Sequence, residues 1–201
     1  LFRSSTFKSC FRLLRNPYVA FMVLGIFLYV GAEVSMSAKL PNFLENRLNF
    51  DIKKTGLLGT LFFFLSLMAG RFAGGVILNW IRPAIFLIIT AILSIVGIAG
   101  LFISSNEITA FVFILVIGLG FANIFPLIFS ITVDKMPERA NEISGLMITA
   151  IIGGAIIPVI FGFVADTFGL MAGFIVPLLC IGYVFFISIP GLSRNFTKEG
   201  R

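Results

Sequence analysis

Histidine is absent from these 201 residues, and the chain holds only two cysteines, one tryptophan and nine acidic side chains. Without histidine, imidazole ligation of haem, the HExxH zinc motif and the Ser-His-Asp triad cannot form within the chain. Cys10 lies in a basic tail and Cys180 inside an apolar run, so the pair is badly placed for a disulfide and makes no CxxC metal or redox site. What the chain has in abundance is apolar surface: 59% of its residues are hydrophobic, 25 are Phe, only 12% are charged, and the mean hydropathy is +1.09. A soluble domain needs polar side chains to cover its core, and too few are present to do so here. Disorder goes with low hydrophobicity and is excluded for the opposite reason. The composition is that of a membrane protein. Its net charge of +6 is spread over short segments between apolar runs, which makes no continuous patch for nucleic acid.

About 20 apolar residues are needed to cross roughly 30 Å of hydrocarbon as a helix. Six runs of that kind occur, at Tyr18–Ala38, Leu57–Trp80, Pro83–Ile103, Ile108–Val133, Ile143–Ala165 and Leu170–Ile189. The expected architecture is therefore an all-α, six-helix transmembrane bundle over residues 18–189, with a linker at 1–17 and a tail at 190–201. The long connection Lys39–Gly56 carries the first helix past the bilayer surface before the chain turns. An even number of spans puts both termini on one side, and basic residues mark the cytoplasmic side. With the termini inside, Arg3, Lys8, Arg12, Arg15, Arg82, Lys135, Arg139, Arg194, Lys198 and Arg201 face the cytoplasm, against Lys39, Arg47, Lys53 and Lys54 outside. The expected orientation is N-in and C-in in a bacterial inner membrane. The basic start is not a secretory signal, because the apolar run after it is too long and contains Glu33. The chain opens on Leu1 in a polar, basic segment, which reads as a linker from a preceding part of a longer protein.

Ionisable residues inside spans are candidates for function, since a charge at the bilayer centre costs about 2.5–3.5 kcal/mol or more. Glu33 shares one helical face with Tyr29 and Ser37, four residues to either side. A phenol, a carboxylate and a hydroxyl in a row suggest a polar cavity; the plainer alternative is a glutamate that only bonds a neighbouring helix. Arg71, after Gly70 near the inner end of the second span, either snorkels to the headgroups or closes a cytoplasmic latch with an acid such as Asp134. Asp134, Lys135, Glu138 and Arg139 otherwise read as solvated loop charges. Asn123 sits mid-span among Gly118, Gly120 and Pro126, where a loosened helix frees backbone groups. In the fifth span, Gly145, Thr149 and Gly153, and likewise Gly154, Pro158 and Gly162, recur every four residues, a spacing for close helix packing. Spans one to three and four to six each begin with a glycine-interrupted helix bearing one polar group, Glu33 or Asn123, a pattern that suggests 3+3 inverted repeats.

Taken together, Tyr29–Ser35, Gly70-Arg71-Phe72, Phe125–Ser130 and Ile152–Pro158 leading to Gly162–Asp166 resemble the C-terminal half of sugar transporters of the major facilitator superfamily. The likeness is nearest to the fucose:proton symporter family and its glucose/galactose branch, and it runs from about Asn16 to Ile189. It implies a twelve-helix fold of which this chain supplies the second six-helix half, with Glu33 and Asn123 on two central helices lining a sugar cavity. Substrate-binding candidates are then Glu33, Asn123, Tyr29 and Ser37, with Phe27 or Phe125 against the sugar ring; Arg71 and Asp134 are gating candidates. The fucose-permease type has an amide where Glu33 stands, which favours another hexose, such as glucose or galactose. The superfamily's acidic and basic loop cluster is reduced here to Arg71 and Arg82. The resemblance implies alternating access with a proton or sodium ion as coupling partner, the lipid bilayer and a missing N-terminal half as structural partners, and no resident cofactor or metal. No paired carboxylates or nucleophile and base stand out in the spans, so an enzyme is not expected. Rival readings are a self-contained six-span channel or sensor, and a carrier of the same fold for a non-sugar molecule.

Overall fold

The computed structural model describes residues 12–48 and 57–189. Most of the linker expected at 1–17, the centre of the long connection and the tail at 190–201 lie outside the described residues, and with them Cys10 and most of the terminal basic groups. Among the described residues the secondary structure is helical throughout, and six stretches are long and apolar enough to cross a membrane: Pro17–Asn46, Leu58–Ile77, Pro83–Ile103, Glu107–Lys135, Pro137–Phe168 and Leu170–Ser188.

Helix starts follow local chemistry. α1 (Pro17–Leu48) opens with Pro at its first position, where a missing N–H leaves nothing unsatisfied, and the Asn16 side chain accepts from the Tyr18 N–H at 3.0 Å. α2 (Leu57–Ile77) ends before a turn that delivers the chain to α3 (Pro83–Ile103), again with Pro at its start. α4 (Glu107–Phe121) is capped by Asn106, which accepts from the Thr109 N–H at 2.9 Å, and has Glu107 in its first turn. α5 (Ile124–Lys135) completes the fourth span after a break at Ala122 and Asn123. The fifth span consists of a short 3-10 turn, α6 (Ala140–Thr149), a second 3-10 turn at Ala150–Ile152 and α7 (Gly153–Phe168). Gly169, at φ +94°, makes the turn into the last span, a backbone conformation that side-chain-bearing residues rarely adopt. The one-turn helix α8 (Leu170–Gly173) and α9 (Ile175–Ser188) form that span.

One of these elements differs from expectation. α1 is continuous and runs well past Ala38, so the connection read as Lys39–Gly56 is helical in its first part, with Pro41 inside the helix. Gly31 does not interrupt it. A Cβ at Gly31 would strike the Ile157 side chain and the Gly153 carbonyl of the fifth span, and one at Gly153 would strike the Phe27 backbone. These glycines bring two helices together, and Pro41, ten residues beyond Gly31, is accommodated without breaking the helix. The fourth span, by contrast, is broken.

The first span packs against the second, fourth, fifth and sixth, and the fourth packs against the first, second and third. These two form the centre of the bundle. The second and fifth spans are the least buried, and turn Leu61, Phe64, Leu65, Met68, Val159 and Phe163 outward. Small residues set the close approaches elsewhere: Gly118 meets Ser66 and Phe63, and Gly120 meets Ser94. In the fifth span, Gly153 and Gly154 contact the first span as the four-residue spacing suggests, whereas Gly145 and Gly162 face open space. Many hydroxyls are satisfied on their own helices, among them Ser35 to Gly31 O, Ser94 to Thr90 O and Thr132 to Ile128 O at 2.6–2.7 Å. Such internal bonding is required where no water competes.

Candidate functional site

Pro126 is the origin of the site. It occupies the third residue of α5, where it has no N–H to give the Ala122 carbonyl four residues earlier. That carbonyl must find another donor inside an apolar bundle. It finds Arg71 of the second span, whose Nε donates to Ala122 O at 3.3 Å. The adjacent Phe121 carbonyl accepts from the Tyr29 hydroxyl of the first span at 2.8 Å, and the two rings meet edge to face at 5.8 Å. Asn123 completes the knot. Its amide does not cap its own helix; it donates to Gly70 O at 2.8 Å, and its side chain lies against Gly74, where a Cβ would collide with it.

With its Nε committed to the break, the Arg71 guanidinium lies beside Glu33, with Nη2 3.8 Å from Oε1. The buried Tyr29 phenol adjoins both charges. A cavity of about 440 Å³ opens at this point, lined by Tyr29, Val30, Glu33, Arg71, Phe125, Pro126 and Ile151. It has an anion, a cation and a phenol on one side and apolar surface on the other. Phe125 belongs to the apolar side and is stacked on Phe129 with ring centroids 6.3 Å apart. The two charges share the depth of Glu33, near the middle of the first span. Pairing offsets the desolvation of charge at that depth.

The residues singled out from sequence divide into those at this cavity and those elsewhere. Tyr29, Glu33, Phe125 and Arg71 line it. Asn123 is buried in the seam between the second and fourth spans. The Ser37 hydroxyl bonds Val34 O on its own helix, while its backbone carbonyl accepts from Thr60 of the second span at 3.0 Å. Phe27 packs on the core and abuts Gly153 through its backbone. The acid beside Arg71 is Glu33 rather than Asp134, which is exposed at the end of α5. Neighbouring Lys135 holds its ammonium 3.7 Å above the Tyr18 ring. Val30 and Ile151 were not singled out. Val30 is three residues before Glu33 and so shares its face, but Ile151 sits in a 3-10 turn that nothing in the local sequence marks as a cavity wall.

Comparison with known proteins agrees with the fold and with the membrane character. A Helicobacter pylori protein is 35% identical over 200 residues, covering 96% of this chain and 47% of its own length. A Brucella abortus protein named a glucose/galactose transporter is 32% identical over 169 residues, covering 84% of this chain and 41% of its own. The chain thus spans about half the length of these relatives. Among solved structures, the outward conformation of FucP, an Escherichia coli fucose:proton symporter, superposes with a TM-score of 0.83 at 20% identity over 92% of this chain and 46% of that one. The family model that matches, over residues 3–158, is the Major Facilitator Superfamily. A polytopic helical bundle with a charged cavity at mid-membrane, matched over most of its length by that model, belongs to the major facilitator superfamily.

Proposed function

We propose that this chain is one six-helix half of a secondary transporter that moves a hexose such as glucose or galactose across a bacterial inner membrane by alternating access. The observation that carries this reading is the cavity at Glu33 and Arg71, which joins charged and phenolic groups to an apolar wall and falls in the usual 300–1,000 Å³ range for small-molecule sites. A sugar has the matching anatomy, with hydroxyls around its edge and C–H surface on its faces. Hydroxyl hydrogens bond to Glu33, and the Tyr29 oxygen, whose own hydrogen goes to Phe121 O, accepts one more. Phe125 covers the ring face. The names of relatives support a hexose as the substrate.

A companion bundle completes the transporter. The Arg71 side chain is 56% exposed at mid-membrane, and a guanidinium at that depth does not face lipid, so protein or a water-filled cavity must cover it. The least buried spans, the second and fifth, offer apolar surface for that contact. Substrate binding then shifts the balance between inward- and outward-open arrangements of the two halves. The distribution of basic residues supports N-in, C-in orientation, and coupling to a proton or sodium ion supplies the driving force. The test is counterflow of labelled glucose and galactose in proteoliposomes containing the full-length carrier. Active exchange, with a loss on the order of a hundredfold in Glu33→Ala, is the expected result. A carrier inert toward hexoses, or a Glu33→Ala variant with unaltered affinity and rate, refutes the reading.

A further inference from the structure

We propose that Arg71 is itself a ligand for substrate hydroxyl oxygens, and that its pairing with Glu33 makes the cavity select uncharged polyols over sugar acids and amino sugars. The inference rests on the sugar-carrier reading above and adds the rule by which the site chooses among sugars.

The guanidinium is tied to the helix break through Nε and lies beside Glu33 through Nη2. Nε is bound to Ala122 O, and Nη1 and Nη2 carry the remaining four N–H groups of a side chain that lines the cavity next to Glu33 and Tyr29. Of the two charged partners, the arginine is the more accessible, at 56% exposure against 20% for Glu33. Their separation of 3.8 Å is longer than the roughly 2.7–2.9 Å of a charge-assisted hydrogen bond. A hydroxyl fits such a pair because it can accept from the guanidinium and donate to the carboxylate together. Neighbouring hydroxyls on a sugar ring can divide the two roles between them.

No ionised group can do the same. A carboxylate accepts but cannot donate, so a sugar acid drawn to Arg71 brings its charge against Glu33. An ammonium donates but cannot accept, so an amino sugar drawn to Glu33 meets Arg71. With the two protein charges balanced, neither ligand charge is compensated for its loss of water, and discrimination comes from that unmatched charge. The break in the fourth span matters to this arrangement because it fixes the cation. A lysine at the same position would keep the charge without the planar fork that holds Ala122 O and a hydroxyl at once.

The experiment measures how well unlabelled glucose, glucuronate and glucosamine, the last at a pH where its amine is charged, compete in hexose counterflow by the full-length carrier. Each variant is judged by ratios among competitors, which do not depend on how much carrier folds. In the unaltered protein both charged sugars should compete at least about tenfold more weakly than glucose. Glu33→Gln should move the glucuronate-to-glucose ratio toward glucuronate by on the order of tenfold, and Arg71→Gln should move the glucosamine ratio likewise. Arg71→Lys should keep glucuronate excluded while glucose affinity falls about tenfold. Ratios that stay within about threefold of the original in both glutamine variants, or full glucose affinity in Arg71→Lys, overturn the proposal while leaving hexose transport standing. Absence of hexose counterflow by the unaltered carrier refutes the functional reading beneath it.

Discussion

The first and fourth spans both run through the centre of the bundle, and both contain glycines and one strongly polar side chain near mid-span, yet they use them in opposite ways. In the first span the helix is whole, Gly31 is a contact with the fifth span, and the polar side chain, Glu33, reaches a cavity. In the fourth span the helix is broken, its backbone carbonyls are the reactive feature, and the polar side chain, Asn123, is sewn into a neighbouring helix. The difference lies in where the prolines fall. Pro126 follows the interruption at Ala122 and Asn123, whereas Pro41 of the first span sits near the end of a helix that stays whole, its freed Ser37 carbonyl taken by Thr60. A glycine in a membrane helix permits close approach without disturbing the ladder, whereas a proline removes a donor and sends a carbonyl in search of a partner.

The contrast can be attacked at several points. The largest expected effect is on the first span's contact with the fifth. Gly153→Ala puts a methyl group against the Phe27 backbone, which cannot rotate away, and should lower stability by about 2–3 kcal/mol. Thermal unfolding in detergent measures this, with Gly162→Ala, where the added Cβ meets open space, as the unaltered control. Equal losses in both variants would mean that close packing does not explain Gly153 at this contact. Next comes the stitch in the fourth span. Asn123→Ala deletes the bond to Gly70 O and should cost roughly 0.6–1.7 kcal/mol, the range measured for interhelical bonds in membranes. Its competition ratios among sugars should hold while stability falls, because the amide is not at the cavity.

Pro126→Ala aims at the cause of the difference. It restores an N–H to Ala122 O, so the net change in stability should stay within about 1 kcal/mol, while hexose exchange slows by about tenfold or more as Arg71 loses its anchor. Exchange at the original rate would mean that the break has no part in the site. The smallest effect is expected at Ser37, whose hydroxyl bonds only its own helix. Ser37→Ala should shift stability by less than about 0.5 kcal/mol and leave exchange unchanged, since the Thr60 bond uses the Ser37 backbone carbonyl.

These points also mark the limits of the sequence. The number of spans follows from run length alone, because an apolar run of about 20 residues has few other uses. Glu33 and Tyr29 were legible as a pair, since a four-residue spacing on a helix needs no tertiary knowledge. The role of Arg71 was not. Its distance from the end of the second span allowed snorkelling, and its actual partners, Glu33 and Ala122 O, lie far away in the chain. The freed carbonyl itself was legible in principle, as the residue four before Pro126, but which helix answers it depends on packing. Asn123 shows a related limit. A polar side chain in an apolar span signals a hydrogen bond without saying whether the partner is a ligand or a neighbouring backbone, and Gly74, the residue that makes room for it, belongs to another helix.

Pro126 and Arg71 are therefore not independent positions. While the proline is present, loss of the arginine leaves both the Ala122 carbonyl and Glu33 without a partner; once an alanine fills the gap, the same loss leaves only Glu33. A double-mutant cycle on the two should be strongly non-additive, and the order in which they are replaced should decide whether the intermediate folds. A charge that membrane chemistry would ordinarily exclude is kept in place by a defect in the helix next to it.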